Sequence, residues 1–293
     1  MANGVIEEHE LMGRDLESSE SKYRIEVIDK VFEILSAFTS DQRELSIAEI
    51  KQRTGQTHSS AYRIIANLTH LGILERDEAT RKFRIGARLY SLGSLAILDV
   101  RRLARPYMEY LRVQFECTAN LSIRDSTNLV LVEVVETEKP LRLVSSVGGR
   151  EPLHCTAAGK CLLAFLPDAE RSSVIEGMTL VGYTPSTLQT PLALEVELRQ
   201  IRRAVIAFDR GEYQAHACCV AAPIFNQTGR VCAAISLTWT ADRFAVTDLP
   251  TVVNKLWTCG HEISIALGYP EPYPLSDLSQ MAVVRGALIQ GSA

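Results

Sequence analysis

No apolar run in this chain approaches twenty residues, so no transmembrane helix is expected. The first stretch also lacks the basic and apolar regions of a secretory signal. It is acidic instead (Glu7, Glu8, Glu10, Asp15, Glu17, Glu20). Neither G-x-G-x-x-G nor G-x-x-x-x-G-K-[ST] occurs, which argues against a dinucleotide or nucleoside-triphosphate enzyme. The seven cysteines form no C-x-x-C pair, their number is odd, and most lie in apolar surroundings. That is the pattern of reduced thiols in a cytoplasmic protein rather than of a disulfide framework. Internal repeats and low-complexity tracts are absent as well.

What is there is ordinary in bulk. A length of 293 residues allows one large or two ordinary domains. Hydrophobic content of 46% with a mean hydropathy of +0.04 fits a globular protein. The net charge of −4 is unevenly spread. Residues 1–21 carry six acidic and one basic side chain, net −5, and read as a disordered tail. Residues 22–92 carry twelve basic and nine acidic, net +3, and 93–293 eighteen and twenty, net −2. The one positive region suits a phosphate backbone.

That region contains LSIAEIKQRTGQTHSSAYRIIANLTHL, residues 45–71. Ser46 with Glu49 is a capping box, so a helix starts there. Gly55 suits the left-handed residue that stops it. Thr57 can cap a second helix. In that second helix Ala61, Ile64, Ile65, Leu68 and Leu71 fall within an arc of about 120°. Ser59, Ser60, Arg63, Asn67 and His70 occupy an opposite arc of about 100°. Two short helices about a tight glycine-containing turn predict a helix-turn-helix. Gly72 ends the second helix, and Ile73–Arg76 and Lys82–Ile85 read as a hairpin, the wing. Val27, Val31, Ile34, Leu35 and Phe38 predict a further amphipathic helix upstream.

The DNA-reading candidates follow from this placement. Ser59, Ser60 and Arg63 are set to reach base edges or phosphates from the N-terminal half of the second helix. Tyr62 and Asn67 flank them, and Thr57 and His58 open the helix. Arg81, Lys82 and Arg84 on the wing are set to follow the adjacent minor groove or phosphates.

A helical stretch from Ala87 to Phe115 comes next, with Gly93 and Pro106 as interruptions; Pro106 is expected to break or bend it. Its apolar face has little to cover in one small domain, which points to a dimer contact. Beyond it the β-rich runs Ala119–Arg124, Leu129–Val135 and Leu141–Val147 predict a meander. Thr156 caps a helix from Ala157 to Leu166, and helices near 168–176 and 191–206 follow. Strands CCVAAPIFN and RVCAAISLTW meet at a Gln227–Gly229 turn, and a helix at about 248–267 closes the domain. The order predicts an α+β fold whose sheet has helices packed on one face. Predicted boundaries are 22–86 for the winged domain, 87–105 for a linker helix, 106–269 for the second domain and 270–293 for a tail.

With these residues in view, the chain resembles the IclR family of bacterial transcriptional regulators over about residues 22–269. The resemblance lies in LSIAEI…TG…SSAYRIIANLTHLGIL with FRIGARLYSLG, in PLHCTAAGKCLLAFLP and TPSTL, and in D-x-x-E-x(6)-C-V-A-x-x-I-F-N. The last is carried by Asp209, Glu212, Cys219, Val220, Ala221, Ile224, Phe225 and Asn226. It implies a winged helix-turn-helix domain, a linker helix and a GAF-like antiparallel sheet domain with flanking helices. It also implies a homodimer or homotetramer on a double-stranded, palindromic DNA operator, responsive to a small-molecule effector, commonly an organic or aromatic acid and thus a carboxylate. No cofactor, metal or membrane partner is implied. Three departures stand out. Val205 and His216 replace usual glycines, which implies a reshaped pocket. Gln56-Thr57-His58 replaces a common Leu-Pro-Lys, which implies one fewer basic phosphate contact.

The effector candidates combine residues and resemblance. Ala157, Ala158, Gly159 and Lys160 begin a helix whose free N–H groups suit an anion. Gly159 lacks a side chain, so a ligand is expected to approach it closely. Asp209, Cys219 and Ser236 match pocket positions of the family, and His216 adds a donor. Glu212 reads as structural. Two rival readings use His154, Cys155, His216, Cys218 and Cys219, as a Cys–His nucleophile or as a metal sensor. The first has no nucleophile elbow or oxyanion-hole motif beside it. In the second, adjacent Cys218 and Cys219 face opposite sides of a strand.

Overall fold

The computed structural model describes residues 25–39, 42–95, 98–139 and 146–274. The predicted acidic tail, residues 141–145 of the strand expected at 141–147 and residues 275–293 lie outside them. The chain forms two compact units that divide between residues 96 and 97.

The first unit holds α1 (Glu26–Ser36), α2 (Ile47–Thr54), α3 (His58–His70), β1 (Leu74–Arg76), β2 (Phe83–Ile85) and α4 (Ala87–Leu95). The capping box at α2 forms: the Ser46 hydroxyl accepts from the Glu49 N–H at 3.3 Å, and the Ser46 N–H donates to the Glu49 carboxylate at 2.7 Å. Gly55 closes α2 with φ +67°, a conformation glycine adopts without penalty. The Thr57 hydroxyl then accepts from the Ser60 N–H and caps α3. Ala61, Ile64, Ile65 and Leu68 of α3 pack with Ile34, Ile50, Leu74 and Phe83. Leu71, placed by its periodicity on the same face, is exposed because the helix ends at His70. β1 and β2 pair antiparallel, Leu74 opposite Ile85.

The second unit is a six-stranded antiparallel sheet with helices on both faces. Its strands are β3 (Thr118–Asp125), β4 (Asn128–Val135), β5 (Arg150–Pro152), β6 (Ala207–Arg210), β7 (Ala217–Phe225) and β8 (Val231–Thr240). They lie in the order β5-β4-β3-β8-β7-β6. On one face α5 (Leu98–Phe115) and α10 (Leu249–Ala266) cover Leu121, Val220, Ala222, Ile235 and Leu237. On the other, α6 (Ala157–Ala164), α7 (Asp168–Glu176) and α8 (Pro191–Ala204) cover Leu129, Leu131, Ala221 and Ala234. The short α9 (Ala241–Ala245) follows β8. The expectation of helices on one face fails because the central strands are apolar on both sides. In β7 only Cys219 is not fully buried.

Two boundaries also differ from the sequence reading. Pro106 does not end a helix; α5 runs through it. Pro106 and Arg102, one turn back, are both exposed, so the lost hydrogen bond falls on the watered side. Ala104, Met108 and Leu111 of α5 are buried in the sheet's own core, whereas Leu92 of α4 and Tyr110 of α5 are exposed. At the other end the folded chain passes residue 269. The Tyr273 hydroxyl donates to the Pro223 carbonyl at 2.6 Å, and Trp257 donates to that of Pro274 at 3.1 Å.

Candidate DNA-reading face and effector cavity

In the first unit the outer face of α3 presents the predicted donors. Thr57, His58, Ser59, Tyr62, Arg63 and Asn67 are exposed. Arg63 makes no side-chain bond among the described residues. Asn67 donates along its own helix to the Arg63 carbonyl at 2.8 Å, and His58 stacks on Tyr62 with ring centres 6.4 Å apart. Ser60 departs from the expectation. It is half-buried and faces Gln56, its hydroxyl 3.5 Å from the amide oxygen.

Gln56, read from the sequence only as a missing basic contact, has a structural role. It is buried, and its amide donates to the Lys30 carbonyl and the Glu33 carboxylate, both at 2.9 Å. The turn before α3 is thereby fastened to α1. Arg88 does the same at the far end, donating to the Leu71 carbonyl at 3.0 Å. No local pattern signals either link.

On the wing, Asp77 accepts from Ala79, Thr80 and the Thr80 hydroxyl, which shapes the tip. Those bonds hold its carboxyl below the ordinary aspartate range. Arg81 stands at that tip with φ +56° and is exposed. Arg84 is tied to Glu75 at 3.0 Å, and Lys82 lies 4.0 Å from Glu49. Of these three wing cations, Arg81 alone has no ion pair among the described residues.

In the second unit a cavity of about 50 Å³ opens between the sheet and the start of α6. Strand register builds its floor. Asp209, Cys219 and Thr238 stand opposite one another across β6, β7 and β8, and Ser236 stands opposite Asn120 across β8 and β3. Ser122, Leu131 and Glu151 continue the lining. Thr156, Ala157 and Ala158 close it from the cap and first turn of α6, Tyr213 and Gln214 from the β6–β7 loop and Ala217 from the start of β7. Asn120 donates to the Thr238 hydroxyl at 3.1 Å, and the Cys219 sulfur lies 3.2 Å from the same oxygen. The Asn120 amide oxygen and the Ser122 hydroxyl are buried without partners among the described residues.

Five of the eight effector candidates meet here: Ala157, Ala158, Asp209, Cys219 and Ser236. Three do not. Lys160 is 0% exposed and its ammonium lies 2.6 Å from both Glu212 oxygens and 3.3 Å from Glu197. It is spent on that ion pair. Gly159 faces inward: an added Cβ would meet the Leu153 carbonyl at 2.4 Å and the Thr156 hydroxyl at 2.5 Å. The glycine serves helix packing, not ligand approach. His216 is exposed and outside the lining, and its backbone carbonyl accepts from the Ala241 N–H at the start of α9. Val205 also misses the cavity. It ends α8 with φ +56° and packs with Phe225, Tyr269 and Tyr273. That is a glycine-type conformation held by a β-branched residue.

Burial sets the ionisation here. It pushes the Asp209 carboxyl up from its ordinary 3.8 to about 7, against bonds from the Glu212 and Tyr213 N–H groups. Burial raises Glu151 too. Because Asp209 holds its proton more tightly folded than unfolded, its contribution to stability falls as pH rises from about 4 to about 7. Asp209→Asn is expected to be more stable than the parent at pH 8, the advantage shrinking as pH falls through 7 toward 4. Urea unfolding across that range measures it. The thiols are also governed by burial: Cys155 is pushed up to about 12, Cys218 to about 11 and Cys219 well above its ordinary value. Protonated thiols of this kind are poor nucleophiles.

Residues 27–78 match the family described as IclR helix-turn-helix domain, and residues 92–265 match bacterial transcriptional regulator IclR C-terminal. The chain belongs to the IclR family. It is a DNA-binding transcriptional regulator with a C-terminal effector-binding domain, not an enzyme. Among curated relatives, the HTH-type transcriptional regulator XynR of Escherichia coli is 31% identical, over 84% of this chain and 98% of its own. The HTH-type transcriptional regulator KdgR of the same organism is also 31% identical, over 84% and 93%. Among solved structures, an IclR homolog from Microbacterium hydrocarbonoxydans complexed with 4-hydroxybenzoate superposes with a TM-score of 0.73. It is 27% identical and the match covers 82% of this chain and 98% of that one. Membership in the IclR family assigns the two units their division of labour. Among the described residues no helix is long and apolar enough to cross a membrane.

Proposed function

We propose that this IclR-family chain acts in the cytoplasm as a homodimer or homotetramer on a palindromic operator. It would control catabolic genes in response to a small organic molecule held in the cavity beside Asp209. One observation carries the DNA half: the Arg63 and Ser59 side chains stand exposed on the outer face of a helix whose inner face is locked into its own core. Such a helix enters a major groove as a rigid rod, with half-sites one helical turn, about 34 Å, or a multiple of it apart. The effector half is supported by a cavity with two unpartnered buried polar atoms in the unit assigned to effector binding. The 4-hydroxybenzoate complex of the Microbacterium homolog supports a small organic ligand. An effector acts by binding two states of the regulator with different affinity.

Selection from random duplexes with the full chain tests the reading; an enriched palindrome is expected, and no enrichment would sink it. The wing gives a second check. Arg81→Ala combined with Lys82→Ala is expected to reduce the salt slope of operator binding by about one for each phosphate contact removed. An unchanged slope would take the wing off the DNA.

A further inference from the structure

The cavity beside Asp209 also carries a statement about what it selects, which rests on reading it as the effector site. Nine of its fourteen lining residues have polar side chains, and among them there is no lysine, arginine or histidine. Its carboxyls are Asp209 and Glu151. Lys160, one turn into α6, is already matched by Glu212 and Glu197. A ligand carboxylate placed there would meet two acids and no free cation.

The hydrogen-bond inventory points the same way. The Asn120 amide oxygen is buried with no donor among the described residues. Asp209 already accepts from the Glu212 and Tyr213 N–H groups. Glu151 is half-buried, and no hydrogen bond or ion pair of its carboxyl is seen. The Asn120 oxygen and the Glu151 carboxyl thus await donors, and the Ser122 hydroxyl awaits a partner of either kind. Leaving buried polar groups unmade is costly, so a ligand that supplies donors is favoured over one that does not.

We propose that the effector is a small polyhydroxylated molecule bound in uncharged form, its hydroxyls donating to Asp209, Glu151 and the Asn120 oxygen. This class differs from the aromatic and simple organic acids that the family resemblance implies. The donor-rich ligand meets the acceptors, and its oxygens accept from Ser122 and Ser236.

The test uses the full chain in polyol-free buffer, with melting temperature and operator affinity measured on the same samples. The probes are erythritol, D-ribose and ribonolactone as neutral polyols, ribonate as the matched anion, and 4-hydroxybenzoate as the aromatic acid. A saturable rise in melting temperature with a neutral polyol, at least tenfold weaker with ribonate, is the expected result. Ser122→Ala should melt no lower than the parent without ligand, because it removes an orphaned hydroxyl, yet lose at least fivefold in polyol affinity. Asp209→Asn should lose polyol affinity as well. Stabilisation by the acids alone, no polyol-specific shift, or a polyol shift untouched by both substitutions would overturn the proposal. The two readings fail separately. Acids that both stabilise and alter operator affinity would sink the ligand class and spare the regulator reading. A polyol that stabilises without altering operator affinity would sink effector control and spare the ligand class.

Discussion

Arg63→Ala is expected to weaken operator binding by about 5- to 150-fold, the equivalent of the roughly 1–3 kcal/mol carried by a well-placed guanidinium on a base edge. Fluorescence anisotropy at fixed salt measures the loss. Melting temperature should not move, because Arg63 is exposed and makes no side-chain bond among the described residues. The pattern of the loss identifies the contact. A base contact relaxes specificity at one operator position, whereas a phosphate contact weakens all sequences alike and lowers the salt slope by about one. Binding within twofold of the parent would remove α3 from the groove.

Lys160→Met is expected to destabilise the second unit severely. The lysine is fully buried, and its loss strands the buried Glu212 carboxylate without a counter-charge. Removing one partner of a buried ion pair typically costs about 3–5 kcal/mol. Glu197 suffers less, since it is partly open to water. The double variant Lys160→Met with Glu212→Gln should recover much of the loss, because no unpaired charge remains. Both tryptophans of the chain, Trp239 and Trp257, lie in the second unit, so their fluorescence in urea reports that unit alone. If the single variant costs no more than an exposed substitution, the buried Lys160–Glu212 pair does not hold the second unit together.

Local chemistry makes much of this protein legible from its sequence. The capping box, the Gly55 stop and the apolar arc of α3 each depend on residues within a few positions, and all three form. The alternating and apolar runs of β3, β4, β7 and β8 are readable for the same reason. The β6 strand, four residues long, and the three-residue β5 are too short to leave a pattern.

The site divides along the same line. Position on α3 follows from helical spacing alone, so Ser59, Arg63 and Asn67 stand outward as their numbers require, while Ser60 turns inward to Gln56. The cavity does not follow from spacing. Lys160 and Gly159 read as ligand groups until Glu212, fifty-two residues away, and the Leu153 backbone claim them. Asn120, Ser122 and Glu151 escape a reading of the sequence because nothing in β3 or β5 marks them; only the register of β3 against β8 brings Asn120 beside Ser236. Sequence by itself determined the helix-turn-helix and its exposed donor face, because these rest on short-range spacing and caps, and its motifs carried the family resemblance. Tertiary structure alone decided which polar groups are spent on each other and which are left facing the cavity, because burial and ion pairing are set by residues far apart in the chain.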